Sequence, residues 1–139
     1  MKKTMFILLA GAALYASCSK DKNSPTPGGQ AGLAGKWTQL STHATGTIGG
    51  EPFDTTILAD AGDYLDFRND GHVYSRSQGQ LDTSAYKVEN NSKIVFTDPE
   101  EPTQTDTIQI KSLSNSSLVL FQKHIEGADL TEATLTLKR

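Results

Sequence analysis

The chain has 139 residues, 13 of them lysine or arginine against 16 aspartate or glutamate, and a single cysteine. A lone cysteine cannot close an intramolecular disulfide, and a formal net charge of −3 makes nucleic acid and anionic membrane surfaces poor electrostatic partners. The length suits one domain with one modest core, and no internal repeat divides it.

In chain order the first element is a leader. Lys2 and Lys3 precede an apolar run from Met5 to Tyr15, and the small residues Ala16 and Ser17 follow. This is the three-part pattern of a secretory signal, and the run is about half the roughly 20 residues that a bilayer-spanning helix needs. The segment Leu14-Tyr15-Ala16-Ser17-Cys18 resembles the lipobox of bacterial lipoproteins, with Tyr15 where an aliphatic residue is usual. The resemblance implies a signal peptide over residues 1–17, cleavage before Cys18 and acylation of Cys18. Losing Lys2 and Lys3 would move the formal charge from −3 to −5. Each buried methylene of an acyl chain contributes about 0.8 kcal/mol, so one chain of the palmitate kind holds reversibly and two hold firmly.

The expected location is the cell envelope, anchored by lipid to the outer membrane, on its periplasmic or its outer side. Ser19-Lys20-Asp21-Lys22-Asn23 resembles the short charged export signal of surface lipoproteins in Bacteroidota. Ser24-Pro25-Thr26-Pro27-Gly28-Gly29-Gln30 holds no apolar residue to bury, so residues 18–30 read as a spacer and residues 31–139 as the folded domain.

Along that domain the apolar residues recur with period two. Leu65 and Phe67, Tyr86 and Val88, Ile94 and Phe96, Ile108 and Ile110, Leu118 and Leu120, and Leu135 and Leu137 are each separated by one residue. This is the alternation of antiparallel strands with one buried and one wet face. With Trp37 and Val73 these residues make the expected inward set. A single helical turn is expected near residues 31–34, and strands near 35–43, 62–68, 72–78, 82–89, 92–97, 105–112, 117–124 and 131–138.

Asn69-Asp70-Gly71, Asn90-Asn91 and Ser114-Asn115-Ser116 read as tight turns, because Asn and Gly tolerate positive φ and Ser caps turns. Longer connections are expected at 44–61, 79–81, 98–104 and 125–130. Alternate connections of a meander share an end, so one end is expected closed and the other open and loop-rich. A strand over Phe53 to Ala59 is the alternative for the first long connection, and would raise the count to nine.

The fold class is therefore all-β, an antiparallel up-and-down β-barrel of about eight strands, since closure removes exposed edges. Gly35-Lys36-Trp37 opening the first strand resembles the Gly-x-Trp motif of lipocalins. With residues 63–73 and Leu135-Thr136-Leu137-Lys138, it resembles the short lipocalin-like domains of bacterial, Bacteroidota-type, lipoproteins. That resemblance implies a closed end plugged by Trp37 beside Gly35. An ordinary core tryptophan is the plainer reading, and both bury Trp37. An eight-strand interior is either filled by side chains or open to one small molecule, and both outcomes stand at this stage.

No catalytic constellation is present. His43, His72 and His124 fall on separate strands, no serine sits in a nucleophile elbow, and Asp98-Pro99-Glu100-Glu101-Pro102 lacks the alternating ligands of a calcium loop. An enzyme, a metal site and a cofactor are not expected. The open end offers Phe53, Ile57 and Leu58 among carboxylates, above Phe67, Tyr86 and Phe96, and these six are the candidate ligand-binding residues. A loop folded over the barrel mouth is the competing reading of Phe53 to Leu58. Asp54-Thr55-Thr56 and Asp106-Thr107-Ile108 also resemble a short O-glycosylation acceptor of Bacteroidota. The leading expectation is a lipoprotein that binds a small apolar or amphipathic ligand at the open end. The alternative is an accessory or inhibitor lipoprotein whose packed barrel grips another envelope protein through its loops.

Overall fold

Alternating apolar and polar residues fold here into nine antiparallel strands: β1 (Gly35–Ile48), β2 (Glu51–Leu58), β3 (Tyr64–Phe67), β4 (His72–Ser77), β5 (Gln80–Glu89), β6 (Lys93–Thr97), β7 (Thr105–Leu113), β8 (Ser117–Glu126) and β9 (Asp129–Lys138). The computed structural model describes residues 32–139. The leader, Cys18 and the spacer lie outside the described residues. Each strand from β3 to β9 pairs with the next, and β9 returns to pair with β1 from Thr38↔Lys138 to Thr47↔Leu130, which closes the barrel. Closure leaves eight positions around the wall: β1 and β3 to β9.

The ninth strand extends one of those positions. β1 pairs along a single edge with β2, from Ile48↔Glu51 to Ser41↔Leu58, and then with β3, from Thr38↔Tyr64 to Gly35↔Phe67. β2 and β3 thus run in the same direction as one interrupted row. Residues 59–63 step between them, held by Ala59 N–H to Leu40 O at 3.0 Å and Gln39 N–H to Asp63 O at 3.0 Å. The strand alternative for Phe53 to Ala59 is therefore correct, and the polarity of every later strand is unchanged.

The expected loop-rich end needs correction. Gly49 and Gly50 take φ of 60° and 84°, the pair of positive values that lets a two-residue turn join twisted strands, so β1 and β2 form a hairpin. Gln78-Gly79 and Gly127-Ala128 turn just as tightly, with φ of 51° and 80° in the first and 62° at Gly127. Of the four long connections expected, residues 98–104 remain a loop throughout, where Pro99 and Pro102 remove ladder donors, and 44–61 keeps only the short step that begins at Ala59. Strand extensions rather than loops build the open end. Gly49 N–H donates to Asp129 Oδ1 at 2.8 Å and fastens the β1–β2 tip to the β8–β9 tip.

The expected helical turn is also absent from the described residues: 32–34 form a bend, and Gly32 at φ 101° is incompatible with a helix. Two bulges, at Leu40 in β1 and Lys111 in β7, insert single residues and help curve the wall. All fourteen residues of the inward set lie in the core cluster, joined by Leu33 and Leu113. Trp37, Phe67, Ile94, Leu118 and Leu137 are completely or almost completely buried around the end that carries the turns at 68–71, 90–92 and 114–116.

Candidate functional site

The barrel interior divides into two zones along its axis. At the closed end the Trp37 indole N–H donates to Leu33 O at 2.8 Å. The Arg139 guanidinium covers the indole from outside, 4.0 Å from the ring centroid, and donates to the carbonyl oxygens of Gly32 and Ala34. Tyr86 pins the neighbouring turn twice: its backbone N–H donates to Gly71 O at 2.8 Å and its hydroxyl to Arg68 O at 2.9 Å. Burial pushes the Tyr86 phenol above its ordinary pKa, and the Asp70 carboxylate adds to the shift. Phe67 meets Tyr86 edge to face at 5.1 Å and Phe96 at 6.4 Å between centroids. This half is side chain throughout.

Toward the open end the inward positions of β4, β5, β8 and β9 turn mostly polar, while those of β2 and β6 carry Phe53, Ile57 and Phe96. Register sets their direction: Val73↔Ser84 and Ser75↔Asp82 face each other across β4 and β5, on the side of the wall that carries buried Leu65 and Tyr86. On the opposite wall Gln122↔Ala133 and His124↔Thr131 continue the inward rows of Leu118 and Leu120. Ser84, Asp82, Phe96 and Gln122 are half-buried, and His124 and Asp106 exposed. Ser75 is 2 % exposed, and its Oγ has no hydrogen-bond partner among the described residues.

The rim beside Ser75 is tied by Asp63, 3 % exposed, whose two carboxylate oxygens accept the backbone N–H of Gln78 at 3.0 Å and of Asp60 at 3.2 Å. One buried side chain thereby joins the β2–β3 step to the β4–β5 turn.

The six candidate ligand-binding residues separate into three groups. Phe67 and Tyr86 belong to the packed closed half, and Phe96 lies at its upper margin. Phe53 and Ile57 occupy inward register positions on β2, opposite Gly46 and Thr42. The Phe53 ring lies across Gly46, where an added Cβ would stand 3.0 Å from its Cε1 and collide with the carbonyl oxygen of Leu130. Leu58, 76 % exposed, points to the outer face instead, because β2 is a strand and successive side chains alternate. Gly35 and Trp37 open β1 at the closed end.

Among the described residues β2 also leaves one edge unpaired. Ala59 N–H bonds Leu40 O, so the odd-numbered residues of this row bond toward β1 and the backbone groups of Asp54, Thr56 and Leu58 face outward. Pro52, which has no N–H, falls on the outward-bonding side, as an edge strand requires.

The histidines stand apart. His43 Nε2 lies 2.9 Å from Asp54 Oδ1 and His72 Nδ1 3.5 Å from Asp70 Oδ1, both exposed, while His124 faces the interior. Among the described residues no three His, Cys, Asp or Glu side chains gather as metal ligands.

Sequence reasoning missed Leu33, Asp63, Ser75, Asp82 and Arg139. For Asp82 and Ser84 a signal existed: the period that places Tyr86 and Val88 inward runs back through both. Ser75 follows Val73 in the same way.

The fold and site thus define a closed eight-position antiparallel barrel with a packed base and partly polar inward positions toward its open end. No known family profile matches the chain, and no curated protein does. Among solved structures it is similar to the bovine lipocalin allergen Bos d 2, at 19 % identity and a TM-score of 0.48 over 79 % of this chain and 74 % of that one.

Proposed function

We propose that this protein is a lipid-anchored binding protein of the cell envelope that takes a small apolar or amphipathic ligand at the open end of its barrel. The observation that carries the reading is the division of the interior. Below Leu65 the barrel is filled, whereas above it Phe53, Ile57, Ser75, Asp82 and Ser84 occupy inward positions and most keep part of their surface. Phe53, Ile57 and Phe96 supply the apolar contacts, and Phe67 and Tyr86 form the floor beneath. Apolar walls with a few convergent polar groups are the usual make-up of a small-molecule site. The lipobox-like segment ending at Cys18 supports the anchor, and no catalytic role is assigned to any residue.

The test is native mass spectrometry of the mature chain with Cys18→Ser, exported in its own host behind a substitute leader whose cleavage does not depend on the cysteine, and purified under mild conditions. A bound mass of a few hundred daltons that leaves on denaturation is expected. A bare mass, with Trp37 fluorescence indifferent to added lipids and amphiphiles, would sink the reading.

One observation favours the accessory alternative: the unpaired edge of β2 beside exposed Leu58. An extended segment of another envelope protein adding to that edge would gain main-chain hydrogen bonds and cover Leu58. Stoichiometric recovery of one partner from detergent-solubilised envelopes, lost with Thr56→Pro, is the expected result of that reading. Recovery unchanged by Thr56→Pro would remove it.

A further inference from the structure

We propose that the free edge of β2 pairs with the same edge of a second copy of this chain, antiparallel about a two-fold axis at Thr55, joining two barrels into a symmetric dimer. The proposal is independent of the small-ligand reading. It gives the β2 edge a different occupant from the foreign segment of the accessory reading.

The first observation is that β2 is uncovered. Seven of its eight residues are exposed, counting both faces, and only Phe53 is half-buried. Ile57 keeps 53 % of its surface and Leu58 76 %. Edge strands are usually kept from pairing by lysines, bulges or a covering element. β2 carries no lysine, runs against β1 without a bulge from Glu51 to Leu58, and has no strand on its free side among the described residues. Pro52, the one residue that removes a donor, sits near the end of the strand.

The second observation is that the strand complements itself. Pro52-Phe53-Asp54-Thr55-Thr56-Ile57-Leu58 is apolar for two residues, polar for three and apolar for two, centred on Thr55. A two-fold partner runs antiparallel and presents the same patch, so each residue meets its mirror position. Leu58 then lies opposite Pro52, Ile57 opposite Phe53 and Thr56 opposite Asp54, while Thr55 meets itself. Backbone direction agrees, because Asp54, Thr56 and Leu58 turn their N–H and C=O groups outward. Each Asp54–Thr56 pair exchanges two hydrogen bonds, and Leu58 N–H donates to Pro52 O, so the missing proline donor falls at the end of the ladder. Phe53 and Ile57 form the non-hydrogen-bonded kind of pair, in which side chains stand closer.

The neighbouring registers are worse. Centring on Asp54 sets that carboxylate against its own copy, and centring on Thr56 sets Leu58 against Asp54 and Ile57 against Thr55. Charge and apolar pattern therefore select the same axis. A ladder this short is small beside the interfaces of permanent dimers, so the association depends on concentration.

The test is sedimentation of the lipid-free mature chain, Cys18→Ser, from about 1 μM to about 1 mM, where a reversible monomer–dimer equilibrium is expected. Thr56→Pro removes one donor from each Asp54–Thr56 pair and should weaken dimerisation about tenfold or more. Thr56→Lys should tighten it severalfold at low salt, since each lysine meets Asp54 of the other copy. Thr55→Cys, then the sole cysteine, should crosslink under copper–phenanthroline at least about tenfold faster than Thr56→Cys. Only position 55 meets itself, at the Cα spacing of about 4.5 Å that a disulfide spans. Unchanged Trp37 fluorescence shows that a variant keeps the fold, and should Thr56→Pro lose it, the cysteine pair decides.

A monomer at every concentration, a dimer that Thr56→Pro leaves as tight, or Thr56→Cys crosslinking as fast as Thr55→Cys overturns the proposal. A monomer whose β2 edge captures another envelope protein overturns it too and hands the edge to the accessory reading. None of these results alters the native-mass test of the small ligand.

Discussion

The guanidinium of Arg139 lies 4.0 Å from the ring centroid of Trp37 and donates to Gly32 O at 2.6 Å, so the two ends of the described chain close the barrel together. The indole fills the base from within, and the cation covers its outer face while satisfying carbonyls that the 32–34 bend leaves unpaired. Arg139→Ala should cost about 1–3 kcal/mol, from the lost cation–π contact and hydrogen bonds. Arg139→Lys should recover less than half of this, since an ammonium lacks the planar fork. Urea unfolding followed by Trp37 fluorescence measures both.

Gly46 sits on β1 between Phe53 of β2 and Thr131 of β9. A methyl there meets the Leu130 carbonyl oxygen and the Phe53 ring, so Gly46→Ala should cost about 1–3 kcal/mol as overpacking. Gly49→Ala, with nothing near its added methyl, should cost only the backbone penalty of its φ of 60°, about 1 kcal/mol. Comparing the two midpoints separates crowding from conformation.

Asp63 ties the barrel rim, and Asp63→Ala should destabilise by about 1–3 kcal/mol through loss of two backbone hydrogen bonds. Amide exchange at Gln78 should rise in that variant ahead of exchange in the closed-end strands. Equal acceleration everywhere would mean that Asp63 supports the whole fold rather than the rim.

Tyr86 confers a stability that depends on alkaline pH. Its folded-state pKa is raised above the ordinary 10.0, so the native state holds the phenolic proton more tightly than the unfolded chain. That contribution is complete below pH 10 and is lost as pH rises through the folded-state value. The urea midpoint should fall above pH 10 in the wild type and fall less in Tyr86→Phe, and tyrosinate absorbance should show one phenol titrating late.

Cys18→Ser should abolish acylation and leave the leader uncleaved on the chain, read as loss of labelled-palmitate incorporation together with a mass that retains residues 1–17. Undiminished palmitate labelling of Cys18→Ser, or a leader removed as in the wild type, would overturn the lipid anchor.

Much of this molecule was legible in the residues alone. Fold class, the tight turns at 68–71, 90–92 and 114–116, and all fourteen inward side chains follow from period-two alternation and from which residues accept positive φ. Both are local properties, felt by a residue and its neighbours along the chain. Pairing partners are not local. Whether Phe53 to Leu58 lay along β1 or arched as a loop depended on Gly49-Gly50 closing a two-residue hairpin against a strand that itself had to be ordered by β9. That pairing sends Ile57 inward and Leu58 outward, which no composition of the segment reveals.

The reach of Arg139 back to Trp37, the grip of Asp63 on Gln78, and the pairing of Ser75 opposite Asp82 likewise exist only once the strands pair. The sequence by itself determined an alternating, barrel-forming chain with an apolar inner face. Tertiary structure alone decided which part of that face packs as apolar core and which sets the Ser75 hydroxyl opposite the Asp82 carboxylate, because strand register sets which side chains share a level of the barrel.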